Sequence, residues 1–399
     1  MKRQRLMVVL IAFLLVGCGP NQDAQNDETP RISDPVQSLE VSSTTETERL
    51  ISVQEVPLYE HITIAEDEEI KILDISGSRV LFAVNGKGIS NTRTLAVYDM
   101  QSTEITSRIA VENRLVFYGK LIGDDFIYTG LNSDGQERPV DADQWLSYES
   151  SFISRVGTHS WDLTLSNTNP NSQIVPMPFV FQSGDVVVID CGAVYYKTVN
   201  DEPIPRTLIE HMQVISITPD GTQKTIFSSD VLSPSESQLL MADSRLMPYR
   251  DGYTFVVEID QKFRFYAGDE NGVKEIMTVS GCRAIYPWWI VEKDRFLLTM
   301  GYGDNEKGIT SIETALTTKE YAILDKSEVG YFRLTSDQDG HIAAVDQSWR
   351  SYILQISDET ISAVKVSLSA NPTEFYFNGD GELYAFQDNI GLFKILTHG

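Results

Sequence analysis

Short apolar runs rich in β-branched and aromatic residues alternate with polar turns along most of the chain. No stretch carries a 3.6-residue apolar stripe longer than about three turns, so the pattern predicts an all-β domain with one short helix at 233–244. The clearest runs are RVLFAV (79–84), TLAVYD (94–99), DFIYTG (125–130), DVVVID (185–190), MQVISI (212–217), YTFVVEID (253–260), RFLLTM (295–300), HIAAVD (341–346), SYILQIS (351–357) and ELYAF (382–386). Turn signals separate them at 132–135, 218–221, 269–272, 337–340 and 378–381.

The spacing of these strands predicts a β-propeller. Clusters begin near residues 69, 113, 174, 245, 283, 331 and 374, and a period of roughly 40–60 residues is typical of four-stranded blades with their loops. We expect seven blades, although six or eight fit the same spacing. The last cluster supplies three strands, so HITI (61–64) is expected to complete that blade as an N-terminal closing strand. A pair of β-sandwiches is the alternative architecture.

Two segments resemble a known repeat. FNGDGELYAFQDNIGLFKI (377–395), and more loosely TLAVYDMQSTEITSRI (94–109), resemble the repeat of quinoprotein-like and TolB-like β-propellers. The sequence departs from that repeat at Phe393, where the family has tryptophan, and it lacks the adjacent cysteines that assist quinone and calcium binding in those enzymes. The resemblance therefore implies a fold, and we carry over no cofactor and no metal site.

The N-terminus has the pattern of a bacterial signal peptide. Lys2, Arg3 and Arg5 precede eleven uncharged, mostly aliphatic residues, a run too short to span a membrane stably. The order Leu15-Val16-Gly17-Cys18 resembles the lipobox of bacterial lipoproteins. The resemblance implies cleavage before Cys18 and acylation of its sulfur, which would attach the protein to the membrane. An ordinary secretory signal with an incidental cysteine is the alternative.

Composition divides the rest of the chain in two. Residues 19 to about 57 contain no aromatic residue and are dominated by polar residues, which is typical of a disordered tether. About 35 such residues would reach roughly 30–35 Å. We therefore assign 1–17 to the signal peptide, 18–57 to the lipidated cysteine and tether, and 58–399 to the propeller. Loss of the signal would leave 57 acidic and 29 basic residues, a formal charge of −28 that argues against nucleic-acid binding.

Candidate chemistry is sparse. Cys191 and Cys282 could form one disulfide or remain two buried thiols. The histidines have no metal-ligand spacing, and no nucleophile elbow, metalloprotease or phosphate-binding motif occurs. We predict no catalytic residue, metal or cofactor. The weaker candidates are the DQDG turn at 337–340 as part of a calcium loop, and surface tryptophans at 145, 161, 288, 289 and 349. Glycosidase-type paired carboxylates could also come from different blades, with Asp124 and Asp125 as one candidate source.

Three functions fit these observations. We favour a non-enzymatic, lipid-anchored binding or scaffolding module for a protein or glycan partner, exported to the outer face of the cytoplasmic membrane or to an outer membrane. The second is an extracytoplasmic carbohydrate-active enzyme with carboxylates at the propeller channel. The third is a sensor or solute-binding accessory for a small ligand. Fold alone does not rank them, because propellers perform all three roles.

Overall fold

Every element that the structure describes is a β-strand. The structure is a computed structural model, in which no helix among the described residues is long and apolar enough to cross a membrane. It describes residues 51–87, 91–133, 148–166, 177–190, 194–197, 206–209, 212–228, 239–240, 246–259, 262–270, 272–280, 284–292, 295–302, 306–313, 321–325, 331–337, 341–346, 349–356, 361–366, 374–387 and 390–397.

The strands, numbered in chain order, form antiparallel sheets, and six of these sheets have four strands. The first sheet contains β2 (Glu68–Ser76), β3 (Arg79–Gly86), β4 (Thr92–Asp99) and β5 (Glu104–Ala110). The second contains β6 (Arg114–Ile122), β7 (Asp125–Ser133), β8 (Tyr148–Val156) and β9 (Trp161–Ser166). The third contains β10 (Phe179–Val180), β11 (Val186–Asp190), β14 (Gln213–Ile217) and β15 (Gln223–Ser228).

The fifth, sixth and last sheets also have four strands, and the fourth sheet is described after them. The fifth contains β21 (Ala284–Glu292), β22 (Arg295–Tyr302), β23 (Glu306–Glu313) and β24 (Tyr321–Asp325). The sixth contains β25 (Tyr331–Ser336), β26 (Ile342–Asp346), β27 (Ser351–Ile356) and β28 (Ile361–Val366). The last contains β29 (Glu374–Phe377), β30 (Leu383–Gln387) and β31 (Gly391–Thr397), with β1 (Ile51–Val56) as its fourth strand.

The fourth sheet differs from the others because it has seven strands. Its regular part contains β17 (Met247–Tyr249), β18 (Gly252–Ile259), β19 (Lys262–Gly268) and β20 (Val273–Ser280). Its additional strands are β12 (Val194–Lys197), β13 (Arg206–Ile209) and β16 (Leu239–Leu240). The favoured count of seven blades is therefore corrected: the described strands form six regular four-stranded blades, a number that the strand spacing also allowed, and the fourth sheet departs from them with its seven strands. The fourth sheet is enlarged because β12 and β13, which follow β11 of the third sheet in the chain, pair with the fourth sheet through β16.

The ring is closed by an N-terminal strand, as expected, but by a different one. β1 pairs with β31 over six residues, from Ile51 opposite Thr397 to Val56 opposite Leu392. Residues 61–64, which were expected to provide this strand, lie outside any strand. The tether boundary at 57 is corrected as well, because residues 51–56 belong to the last sheet. Val56 and Leu58 are buried in the core between the last and first sheets, which explains why β1 is held there.

The hydrophobic core consists of layers between successive sheets. Separate clusters of buried residues join the last sheet to the first, the first to the second, the second to the third, the third to the fourth and the sixth to the last. The first strands of neighbouring sheets also contact each other, as in the pairs β29–β2, β2–β6, β17–β21, β21–β25 and β25–β29. These first strands surround the axis, and the chain therefore folds as a β-propeller.

Position within a sheet explains the sequence pattern. β3 is buried along nearly its whole length, because both of its faces are covered by neighbouring sheets and both edges by strands. β5, at the rim, alternates between exposed and partly buried residues. The turn at 378–381 forms as expected: Asn378 accepts hydrogen bonds from the N–H groups of Asp380 and Glu382, and Gly381 has a φ of +76°. Of the short helix expected at 233–244, residues 239–240 form β16 instead, and the remainder lies outside the described residues.

Candidate functional site

Polar side chains of two first strands and a phenyl ring of a third meet near the propeller axis, where the last, first and second sheets join. We call Glu69 and Lys71 of β2, Phe117 of β6, and Glu374 and Tyr376 of β29 the axial cluster. The Nζ of Lys71 lies 5.1 Å from the centroid of the Phe117 ring. The hydroxyl of Tyr376 lies 2.7 Å from Oε2 of Glu374 and 3.1 Å from the carbonyl oxygen of Ile72, so it links β29 to β2.

The electrostatics of the axial cluster centre on Lys71. Burial lowers the pKa of Lys71 from its usual value, because desolvation disfavours the charged amine, while Glu374 and then Glu69 act in the opposite direction. The ammonium group of Lys71 also contacts the Phe117 ring, as given above. The cluster thus holds a partly buried ammonium group whose charged form Glu374 and Glu69 favour.

The strand alternation of β2 places these groups. In EEIKILDIS, Ile70 and Ile72 are buried in the core toward the last sheet, so Glu69 and Lys71 point to the other face of the strand. This signal was present in the sequence and was missed, because single charged residues in a strand are not distinctive. Chemically, the axial cluster can bind a cationic group through its carboxylates and an anionic group through Lys71.

A second feature is the enlargement of the fourth sheet. β17 pairs with the start of β18, from Tyr249 opposite Gly252 to Met247 opposite Thr254, whereas β16 pairs farther along at Glu258. Because β19 occupies the other edge of β18, β16 and β17 share the edge that faces the axis. β13 and β12 extend the sheet beyond β16. We call β12, β13 and β16 the added strands.

The cysteines of the sequence analysis lie outside the described residues. Cys18, Cys191 and Cys282 all fall there, so lipidation and the disulfide remain predictions. Asp124 and Asp125 are described, and the structure separates them. Asp124 is fully exposed and 3.8 Å from Nη1 of Arg79, whereas Asp125 is buried. The two carboxylates therefore lie in different environments.

Asp125 forms the centre of a buried link between the second and third sheets. Nε and Nη2 of Arg155 donate to its Oδ2 at 3.0 and 2.9 Å, and the N–H of Thr158 donates to Oδ1 at 2.7 Å. Nη1 of Arg155 reaches the carbonyl oxygen of Gly184, at 3.2 Å, before β11. Burial alone would raise the pKa of Asp125, but the hydrogen bonds from Thr158 and Arg155 outweigh it and hold that pKa below its usual range. This link is structural.

The other candidates also have structural roles. The indole N–H of Trp161 donates to the carbonyl oxygen of Pro219 at 3.1 Å, so this ring packs between sheets. In the DQDG turn, Asp337 accepts a hydrogen bond from the N–H of His341 at 3.1 Å and contacts its ring, while 338–340 lie outside the described residues. Trp349 is partly buried with a φ of +63°. The described residues hold no group of three or more His, Cys, Asp and Glu suited to a metal ion. Trp145 lies outside the described residues, and nothing is described of the side chains of Trp288 and Trp289.

A cleft of about 400 Å³ follows the seam between the last and first sheets. Part of its wall is β1, and Glu382, Tyr384 and Lys394 form another part. Lys394 and the hydroxyl of Tyr384 both donate to Glu382, and the bond from Lys394 is the main reason that the pKa of Glu382 lies below its usual range. The polar groups of this wall are therefore bonded to one another.

Comparison with known proteins identifies the class of fold. No family model matches the chain, and no curated protein matches it by sequence. Solved structures do match. A chain of the mitotic checkpoint complex has a TM-score of 0.52 at 10% identity and covers 91% of this chain and 100% of its own length.

Two further structures match over similar lengths. YCF48 bound to a D1 peptide has a TM-score of 0.51 at 11% identity and covers 87% of this chain and 96% of its own. An oligogalacturonate lyase in complex with manganese has a TM-score of 0.51 at 11% identity, with coverage of 90% and 96%. These likenesses show the β-propeller fold, which proteins of different function share.

Proposed function

We propose that this chain is a lipid-anchored, extracytoplasmic β-propeller that binds a protein or glycan partner and is not an enzyme. Anchoring rests on the Leu15-Val16-Gly17-Cys18 order. Partner binding is supported by the added strands, because they are the main departure from the four-stranded blade among the described residues. Function on a common fold resides in such additions.

The position of the added strands supports this role. Strand direction alternates within a blade, so the connection from the second to the third strand and the connection to the next sheet emerge on the same face. β12 and β13 lie in the connection between β11 and β14, and β16 lies in the connection from β15 to β17. The added strands therefore stand together on one face of the propeller, beside the axis.

The added strands also present a backbone edge. In the described part of the sheet, β12 pairs with β13 alone, so its second edge carries N–H and C=O groups available to an extended segment of a partner. Two of the similar structures support a binding role for the fold, since one belongs to a checkpoint complex and another is bound to a peptide. The similar lyase gives the enzymatic alternative its support.

The test removes the hairpin formed by β12 and β13 without disturbing the third sheet. Asp190 is opposite Gln213, so replacing 192–211 with Asn-Gly would leave a four-residue loop that still contains Cys191 and buried Met212. The full-length protein and this variant are crosslinked in native membranes. We expect one dominant partner with the full-length protein and its loss with the variant.

The controls separate binding from anchoring and folding. Cys18→Ala should leave the membrane fraction, and circular dichroism should show that the hairpin variant keeps its strands. A partner retained at full yield by a folded hairpin variant would contradict the role of the added strands. Cleavage of polygalacturonate or another exported polysaccharide by the purified protein would favour the enzymatic alternative.

A further inference from the structure

The pairing of the added strands fixes where they lie relative to the propeller axis. β16 occupies the axis-facing edge of β18 near the end of that strand, where Leu240 is opposite Glu258. β13 lies one strand farther from β18 than β16 does, and β12 lies two strands farther. The axis-facing edges of the innermost strands form the wall of the axial channel, so β13 and β12 project from that wall into the channel.

The hairpin formed by β12 and β13 also extends along the channel. Leu208 of β13 is opposite Leu240, which is opposite Glu258. Because β13 runs in the same direction as β18, Arg206 lies two residues farther into the channel, level with Val256 in the middle of β18. The hairpin therefore occupies the half of the channel nearest the face on which the added strands stand.

The space beyond β12 has the width of one extended chain. Sheets that pack about 10 Å apart place their first strands on a ring of about 10–12 Å radius, and two strand spacings bring β12 about 10 Å inside that ring. About 10–14 Å then separates β12 from the first strands across the channel. A helix, about 10–12 Å across with its side chains, would fill this width completely. A segment that entered and left again would need three strand spacings, about 14–15 Å, so the segment that fits is a chain end.

Strand direction and charge indicate which chain end this is. The other pairs of the fourth sheet are antiparallel, and antiparallel pairs are the commoner kind. β12 runs from the face of the propeller inward, so a strand antiparallel to it has its N-terminus inside the channel. The chain carries 57 acidic and 32 basic residues, a formal charge of −25, which favours a basic segment.

We propose that β12 binds the basic N-terminal segment of an exported partner protein, which enters the axial channel as an added strand. This inference rests on the partner-binding function proposed above and names the kind of segment that is bound. The N–H and C=O groups on the second edge of β12 form main-chain hydrogen bonds with the segment. β12 has four residues, which sets the length of the paired region.

The experiment places the photocrosslinker p-benzoylphenylalanine at Tyr195 or Tyr196 of the full-length protein in native membranes. Successive residues of a strand face opposite sides, so the two positions sample both sides of an added strand. Mass spectrometry then identifies the crosslinked partner peptides. We expect them to lie within about ten residues of the partner's mature N-terminus, because half of the channel is only a few residues deep. The yield should fall at least about twofold at high salt, which screens the attraction between opposite charges.

The matched control carries the same photocrosslinker at Val53. This residue is 39% exposed on β1, the outer strand of the last sheet, and so lies away from the axis. We expect the N-terminal product to be absent from this variant. Circular dichroism establishes that each variant is folded.

Chemical crosslinking of the unmodified full-length protein separates this inference from the function on which it rests. Absence of a partner in that measurement would contradict the proposed function itself. If a partner is captured there, this inference is overturned by products from 195 and 196 that map to an internal or C-terminal segment, or by the absence of any product from these positions. An equal yield of the same product from position 53 would overturn the channel site, and an acidic N-terminal segment would overturn the charge assignment.

Discussion

The buried pair of Asp125 and Arg155 gives a sharp test of how the blades are held together. Both side chains are 7% exposed, and three hydrogen bonds from Arg155 and Thr158 converge on Asp125. Replacing Asp125 with alanine leaves the guanidinium buried without its counter-ion, which costs about 3–5 kcal/mol of unfolding free energy. Arg155→Met should cost a similar amount, because it leaves the carboxylate unpaired.

The double variant separates the cost of leaving one charge unpaired from the net contribution of the pair to the free energy of unfolding. With both charges removed, the Gly184 carbonyl and the Thr158 N–H still lose their hydrogen-bond partners. Together these losses lower the free energy of unfolding by about 1–3 kcal/mol. We therefore expect the double variant to be more stable than either single variant. Urea unfolding followed by tryptophan fluorescence measures this, since Trp161 packs across the same two sheets.

Asp124→Ala is the matched control, because Asp124 is the preceding residue, is fully exposed and lies 3.8 Å from Arg79. It should leave the urea midpoint unchanged. Equal midpoints for the Asp124 and Asp125 variants, or single-variant losses that simply add in the double variant, would refute this reasoning.

Three further predictions concern acid, ring closure and a turn. Because the pKa of Asp125 is lowered on folding, its stabilisation is complete above its unfolded pKa of 3.8 and is lost as pH falls through the lower folded value. The difference in urea midpoint between wild type and Asp125→Ala should therefore narrow below about pH 4; a constant difference down to pH 2 would contradict this. Removing residues 1–56 should expose β31 as an edge and cause association seen by light scattering, whereas removing 1–49 should not. Gly381→Ala should cost about 1–2 kcal/mol in urea unfolding because of its φ of +76°, while Gly379→Ala, with open space around its Cβ position, should cost less.

The sequence pattern predicted the regular part of the fold well, for a physical reason. Strands covered on both faces, such as β3 and β30, are nearly continuous apolar runs, and an Asp-Gly turn at 380–381 precedes β30. The first strands of the sheets begin at residues 68, 114, 179, 247, 284, 331 and 374, close to the expected positions. Hydrophobic burial between sheets sets this spacing, so it is visible in one chain.

The pairings that connect distant residues were not predictable in the same way. Leu239 and Leu240 pair with β13, some thirty residues earlier, and Leu240 also pairs with Glu258 of β18. Two apolar residues in a polar segment fit a helix equally well, so a helix was expected. The closing strand was misplaced for a similar reason, because ISVQEV at 51–56 is short, contains Ser52, Gln54 and Glu55, and resembles the polar tether that precedes it.

The pairing of β1 with β31 places the two ends of the folded domain side by side, with Ile51 opposite Thr397. A short linker could therefore join residue 397 to residue 51, and the chain could be opened between two other blades by circular permutation. Such a permutant would close its last sheet through a covalent connection and would transfer the non-covalent junction to a new position on the ring. The difference in unfolding free energy between the permutant and the parent would measure how much the pairing of β1 with β31 stabilises the ring.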